Sequence, residues 1–565
     1  MSHLSVLNQA VQQFKTGQIQ QAIEACQTLL RENPDQAAVQ HQLALFYAQC
    51  YHYTEALPAA EKACQLEPNT ASYRNTLGNL YLHLRRLEAA EKEYQAGLAL
   101  APNHATFYNN LGKVYYQQGN LSQAKTYYEK ALAREPDYPE ALFNLALVLA
   151  KKELFSDAIH QLKKVLALKP EFPPALSQLA QLYLNAGELK EAETIFKQHL
   201  HVQPMHAESL HGLGLIYLHH NDMSAALEQF QTVLHLNPTH PEAHFHAACA
   251  CIHQGEHEKA LTLLMRQLEI APDVECYFNI GVLLSYQERL SESIEYFNAA
   301  LKYDPLHLNT HLNLGAIYLK LNYYSKAIEH YQAAQSLKPD DPEINFILTA
   351  ITGSGTPEAP PEEYLKDLFD QYAPYYEQHL KTYLKYQVPE LLHAACVRTL
   401  DLPTKAWRIV DVGCGTGLCG EWFKAYAREL IGIDISAKMI EAAQQKSIYD
   451  QLITADMQEA LSSLPASDLI VAGDVFSYLG NLYPLLKAIY KALLPNRHLV
   501  FTVEKGGKYP YSLQKNMRYS HTSSYLEEVV KTTGFHMVML ENARLRDQRY
   551  TEVEGYLVIA KRPNL

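Results

Sequence analysis

Through the first three fifths of the chain, apolar and small residues recur at helical spacing in short blocks. Each block is closed by a proline and a polar turn. Prolines stand at Pro34, Pro68, Pro102, Pro136, Pro170, Pro204, Pro238 and Pro272 at intervals of 34 residues, then at Pro305 and Pro339. Twelve residues before each comes a small side chain, from Ala22 and Ala56 through Ala90 to Ser293 and Ala327. Another lies twelve residues earlier still, from Ala10 and Ala44 through Gly78 and Gly112 to Gly281 and Gly315. The stretch "ATFYNNLGKVYYQQGNLSQAKTYYEKALAREPDY" shows the pattern most clearly. It predicts two short helices per block, crossing closely where Gly or Ala leaves room, with proline marking the exit from the second. About ten blocks fill residues 3–341, and "PEINFILTAI" reads as a closing helix, so this region is placed at 3–351.

The pattern then changes. Residues 352–361, within "TGSGTPEAPPEEY", are rich in helix breakers and read as an ordered hinge or short linker. From 362 to 565, short apolar runs alternate with helical stretches: "WRIVDV", "LIGID", "QLITAD", "LIVAGD", "HLVFTVE", "HMVMLE" and "GYLVIAK". Seven strands with intervening helices predict an α/β sandwich with a largely parallel sheet. "VDVGCGTG" follows the first run and precedes a helical stretch, so its glycines occupy a strand-to-helix turn where backbone approaches a ligand.

Composition narrows the function classes. A 565-residue chain with 48% apolar and 19% charged residues is globular and long enough for at least two cores. A net charge of -13 supplies no strong basic field, so nucleic acid is not expected as a partner. The N-terminus lacks a secretion-signal pattern and no apolar run is long enough to span a bilayer, which points to a soluble, cytoplasmic protein. The nine cysteines form no CxxC pair and are read as reduced thiols. In "HFHAACACIHQGEH", His246, Cys249 and His253 would share a helical face. The stretch is an ordinary block with no zinc-module spacing, and no metal site is expected.

The blocks resemble the tetratricopeptide repeat. That resemblance implies an all-α superhelical solenoid whose concave face binds an extended peptide or a partner protein. Asn8, Gln42, Asn110, Asn144, Gln178, Asn279 and Asn313 recur two residues before the first-helix small position. These amides could pair with a peptide backbone or simply support local packing.

The tighter GxGxG spacing of "VDVGCGTG" resembles the first motif of class I S-adenosylmethionine-dependent methyltransferases, which implies a Rossmann-like, seven-stranded domain. On that resemblance the turn residues Asp411, Gly413, Cys414, Gly415 and Gly417 hold the cofactor, with Asp411 equally readable as a structural carboxylate that orders the turn. Asp434, followed by Ile435, accepts from the ribose hydroxyls. Asp456 and Met457 read the adenine, and Gly473 and Asp474 lie beside the sulfonium.

Further on, Glu504 and the trio Arg518, Tyr519 and His521 resemble a subgroup of bacterial methyltransferases that joins repeats to this domain. Its upstream motif corresponds to "FDQYAPYYEQHL" here. The four are the catalytic candidates, with His521 as possible general base and Glu504 orienting it or the acceptor. Tyr372 and Tyr376 are candidates to close over the cofactor. The leading expectation is a methyltransferase whose repeats recruit a protein or peptide acceptor. The alternatives are a small-molecule enzyme of quinone- or biotin-pathway type docked by its repeats, and a non-catalytic adaptor.

Overall fold

A computed structural model describes residues 3–548 and 551–564. The chain divides into two compact units, Met1–Pro272 and Asp273–Leu565.

The first unit consists of antiparallel helix pairs, from His3–Lys15 with Ile19–Glu32 to Ala243–His253 with His257–Ile270. The second helices end where proline forces them to. Asn33, Glu67, Ala101 and Glu135 each precede a proline and leave the helical region, with φ between -129° and -145°. Close crossing depends on the small residues. A Cβ on Gly112 would lie 2.5 Å from the Tyr128 ring, and Gly78 and Gly214 meet Tyr94 and Phe230 in the same way. Two of the recurring amides bond across to the preceding repeat: the Asn110 amide donates to Asn75 Oδ1 at 2.9 Å, and the Asn144 amide to Asn109 Oδ1 at 2.9 Å.

The second unit begins with two more pairs, Val274–Tyr286 with Leu290–Tyr303 and Leu308–Lys320 with Tyr324–Leu337. The closing helix Pro342–Thr352 is capped by Asp341, which accepts from the N–H groups of Glu343 and Ile344, and it is ended by Gly353 at φ 68°. Its Ile344, Ile347, Leu348 and Ile351 join the core of the last pair. Tyr364 and Met517, from the following domain, pack on that same core, and the Phe346 and Tyr364 rings lie 5.3 Å apart.

Among the described residues nine strands follow: β1 (Trp407–Val412), β2 (Ala427–Asp434), β3 (Gln451–Thr454), β4 (Ser467–Ala472), β5 (Leu493–Lys505), β6 (Tyr511–Leu513), β7 (Tyr519–His521), β8 (His536–Gln548) and β9 (Thr551–Lys561). β3, β2, β1, β4 and β5 are parallel in that order; β9 then pairs antiparallel with β5, and β8 with β9. All seven expected runs are strands of this sheet. The two additional strands, β6 and β7, are three residues each, too short to leave a periodic signal. β7 pairs with β5 at Glu504 and Lys505, on the edge that β4 occupies only as far as Phe501. That placement brings Arg518 to the C-terminal end of β4.

Candidate functional site

In an open parallel sheet, ligands lie beyond the carboxyl ends of the strands. Here a cleft opens at the ends of β1 to β4, lined by Gly413, Gly415, Asp434, Ile435, Asp456, Met457, Gly473 and Asp474. Gly415 sits at φ 52°, a left-handed conformation that a side chain would strain, and the nearest group to its Cβ position is the Tyr376 ring at 3.6 Å. Asp434 is held by the turn itself: its oxygens accept from the N–H groups of Gly415 and Ser436, each at 2.9 Å. Burial raises its pKa while these N–H groups oppose the rise. Asp456 caps the helix Met457–Ser463, accepting from Gln458 N–H at 2.8 Å.

The cleft has a roof built from residues 359–376. Ala359 and Pro360 of the linker, with Leu365, Phe369 and Tyr376, line it, and the Glu358 carbonyl accepts from Gly480 and Asn481 N–H at 2.8 and 3.0 Å. Two carboxylates clasp the roof to the sheet. Asp370 accepts from the Ser436 hydroxyl at 2.5 Å, and Glu377 accepts from the Thr416 hydroxyl at 2.8 Å and from Lys446 at 2.6 Å. Burial alone would raise the Glu377 carboxyl, but the hydrogen bonds from Lys381, Lys446 and Thr416 prevail and hold it down to about 2.

A wider cavity adjoins the cleft, with about 800 Å³ of free space against about 190 Å³. The two share Tyr376, Asp474 and Tyr478, and the wider one adds Tyr372, His379, Lys385, Arg518 and Arg546. Its floor is a closed charge network. Arg518 donates to Asp474, Glu504, Ser477 and the Tyr478 hydroxyl, and Arg546 donates to Asp474 at 3.1 Å and to Glu504. Asp474 holds a positive φ of 62°, unusual for a side-chain-bearing residue, at the point where the cleft and cavity meet. Burial pushes the Tyr376 and Tyr478 phenols up, so both are neutral at ordinary pH.

Not every candidate reaches these walls. Asp411 is buried and accepts from the Tyr449 hydroxyl at 2.6 Å, behind the turn; burial, opposed by that bond, pushes its carboxyl up to about 7. Cys414 and Gly417 support the turn without lining the cleft. Tyr519 and His521 are fully buried and line neither space. His521 donates Nε2–H to the Gly480 carbonyl at 3.1 Å, stacks on Tyr525, and is pushed down to about 4 by burial, so it is a neutral core imidazole. Glu504 acts one step back, holding the two arginines.

Arg546 escaped sequence reasoning. β8 runs well past its apolar stretch, and a register shift between Arg544 and Arg546 breaks the in-out alternation, so that Leu545 and Arg546 are both buried. The roof clasps Asp370 and Glu377 lie in the motif stretch "FDQYAPYYEQHL", though nothing in it pointed to their partners, and Tyr478 gave no signal beyond an ordinary aromatic residue.

Helical repeats joined to a doubly wound sheet with a strand-end cleft define a repeat protein carrying a nucleotide-fold domain. Comparison makes both parts specific. Tetratricopeptide repeat profiles match residues 5–35, 69–134, 109–174, 149–213, 217–277 and 278–342, and a methyltransferase domain profile matches 410–499. The chain therefore carries tetratricopeptide repeats followed by a methyltransferase domain.

The malonyl-[acyl-carrier protein] O-methyltransferase of Priestia megaterium is 33% identical over 125 residues, 21% of this chain and 43% of that protein. The mitochondrial ubiquinone biosynthesis O-methyltransferase of Rattus norvegicus is 29% identical over 119 residues, 20% of this chain and 34% of that one. The chain thus spans less than half the length of either relative. Among solved structures, PilW, a type IV pilus biogenesis factor, is 27% identical, covering 37% of this chain and 96% of its own, with a TM-score of 0.34. No helix among the described residues is long and apolar enough to cross a membrane.

Proposed function

We propose that the C-terminal domain is an S-adenosylmethionine-dependent methyltransferase and that the repeats recruit its acceptor, a protein or peptide. The observation that carries this reading is the junction at Tyr376, Asp474 and Tyr478, where a narrow strand-end cleft opens into a wider cavity. The donor set of the cleft fits the cofactor. Asp434 has each oxygen engaged by one backbone N–H and keeps lone pairs for two neighbouring hydroxyls. Asp456 and Met457 would take the adenine edge and face. When bound, S-adenosylmethionine supplies an electrophilic methyl group on its sulfonium.

The chain's part is to position the acceptor and exclude water. Tyr376 and Tyr478 narrow the passage, and the arginine network holds Asp474 in place at its floor. For an acceptor that must lose a proton, His379 is the imidazole on the cavity wall. Its Nδ1 shares a hydrogen bond with the Tyr372 hydroxyl. Asp434→Ala is expected to weaken cofactor binding in calorimetry at least about tenfold through loss of its charge-assisted hydrogen bonds. Unchanged affinity would end the assignment.

A second reading, a small-molecule acceptor with the repeats docking the enzyme in a complex, draws on the name of the ubiquinone biosynthesis relative. Removing residues 1–272 separates the readings. The cut belongs there because Tyr364 and Met517 of the catalytic domain pack on the last repeats. Turnover of a protein acceptor should vanish with the first unit, whereas turnover of a quinone should survive.

A further inference from the structure

Across the first helices of neighbouring repeats, polar side chains 35 residues apart pair through single hydrogen bonds. His41 meets Thr76 at 2.8 Å, Asn110 meets Asn75 at 2.9 Å, and Asn144 meets Asn109 at 2.9 Å. The same register between Ala207–His219 and Ala243–His253 carries two imidazoles, with His211 Nε2 facing His246 Nδ1 at 3.0 Å. Glu242 stands four residues before His246, one helical turn away. Ligand atoms of His211, Glu242 and His246 all lie within 4.8 Å of one another.

The surroundings suit a cation held by neutral imidazoles. The Phe230 ring backs both histidines, with centroids 5.5 Å from His211 and 5.7 Å from His246. A hydrogen bond between the two facing nitrogens requires that at least one of them carry a free lone pair. Glu242 is exposed, which leaves an open side for a water ligand. Two nitrogens bound to one tetrahedral ion at about 2.0 Å lie about 3.3 Å apart, close to the spacing already present.

We propose that His211, Glu242 and His246 bind a divalent first-row transition-metal ion, with zinc as the working probe, and that the ion ties two adjacent repeats together. Two imidazoles and a carboxylate plus water make a borderline donor set that suits zinc, cobalt or nickel over calcium or magnesium. Binding requires the hydrogen now shared between the two rings to move to the remote nitrogen of its own ring, so that both facing lone pairs reach the metal. Cys249 and His253 take no part: the ligands around His246 come from its own helix start and from the preceding repeat.

The test uses the full chain, stripped with a chelator and titrated with zinc chloride by calorimetry. Wild type should bind one zinc equivalent that His246→Asn lacks. That substitution installs the amide found in the same register at Asn110 and Asn144, and far-UV circular dichroism checks that it folds. Glu242→Gln, at an exposed position, should weaken that equivalent at least about tenfold without touching the packing. Cobalt should give the visible absorption of a four-coordinate ion in wild type and not in His246→Asn. If wild type takes up no zinc, or if both variants bind it as wild type does, the pair is only an imidazole hydrogen bond within the ladder and the proposal falls. Should His246→Asn misfold, the Glu242→Gln titration decides alone.

Discussion

The glycines of the repeats and those of the strand-end turn do different work. Gly78, Gly112, Gly214, Gly281 and Gly315 each leave space for an aromatic ring sixteen residues ahead, the same contact repeated down the array. Gly415 serves backbone conformation, and what surrounds it comes from far along the chain: Asp434 from β2 and Tyr376 from the roof. One region is a sum of near-neighbour contacts, and the other is a closed network in which each group holds several others. A break in the first should stay local, whereas a break in the second should spread. Both tryptophans, Trp407 and Trp422, lie in the catalytic domain, so their fluorescence reports that domain separately from the helical signal of the repeats.

The sharpest contrast comes from Arg546→Met. Arg546 is 4% exposed and shares Asp474 and Glu504 with Arg518, so its removal leaves two buried carboxylates facing one cation. Breaking a buried pair in this way costs about 4 kcal/mol. Urea unfolding followed by tryptophan fluorescence should shift strongly to lower concentration while the repeats' circular dichroism transition holds. An unshifted fluorescence midpoint would mean that the network is dispensable.

Next in size is a pH effect. The Asp411 carboxyl is raised from 3.8 to about 7, mainly by burial, with the Tyr449 hydroxyl pulling the other way. A carboxyl raised on folding binds more protons in the folded state. Its favourable contribution is complete below about pH 4 and is lost as pH rises through about 7. Asp411→Asn removes that slope and still accepts from Tyr449. The catalytic domain of the variant should gain on wild type between pH 4 and 8, by up to about 4 kcal/mol at the upper end. Parallel stability curves for the two proteins would contradict the burial argument.

How far each region can be read from sequence follows the same division. Repetition writes itself into the chain: ten prolines in register and the small residues ahead of them mark the helix pairs, because every repeat solves the same packing problem. In the catalytic domain the apolar runs mark seven strands, and Asp434 and Asp456 are legible as cleft-lining residues because both stand at strand ends. Arg546 is not legible, since a bulge reverses the face on which it falls. His521 looked chemical beside Arg518, but the short pairing of β7 with β5 turns it into the core. The linker looked like a hinge by composition. Its carbonyl at Glu358 is spent on Gly480 and Asn481, and it walls the cleft.

Gly112→Leu tests the local side of the comparison. A Cβ there would lie 2.5 Å from the Tyr128 ring, which is itself 1% exposed and cannot withdraw without opening its own core. Overpacking of this kind costs about 2 kcal/mol. In an array of near-neighbour couplings the loss should be confined to one helix pair and those beside it. The circular dichroism transition should then broaden or drop, with the tryptophan transition and cofactor affinity unmoved. Adding Tyr128→Leu, which withdraws the ring, should recover part of the loss. The pair would therefore cost less than the sum of the two single changes. A simple sum would mean that glycine is there for some reason other than room for the ring.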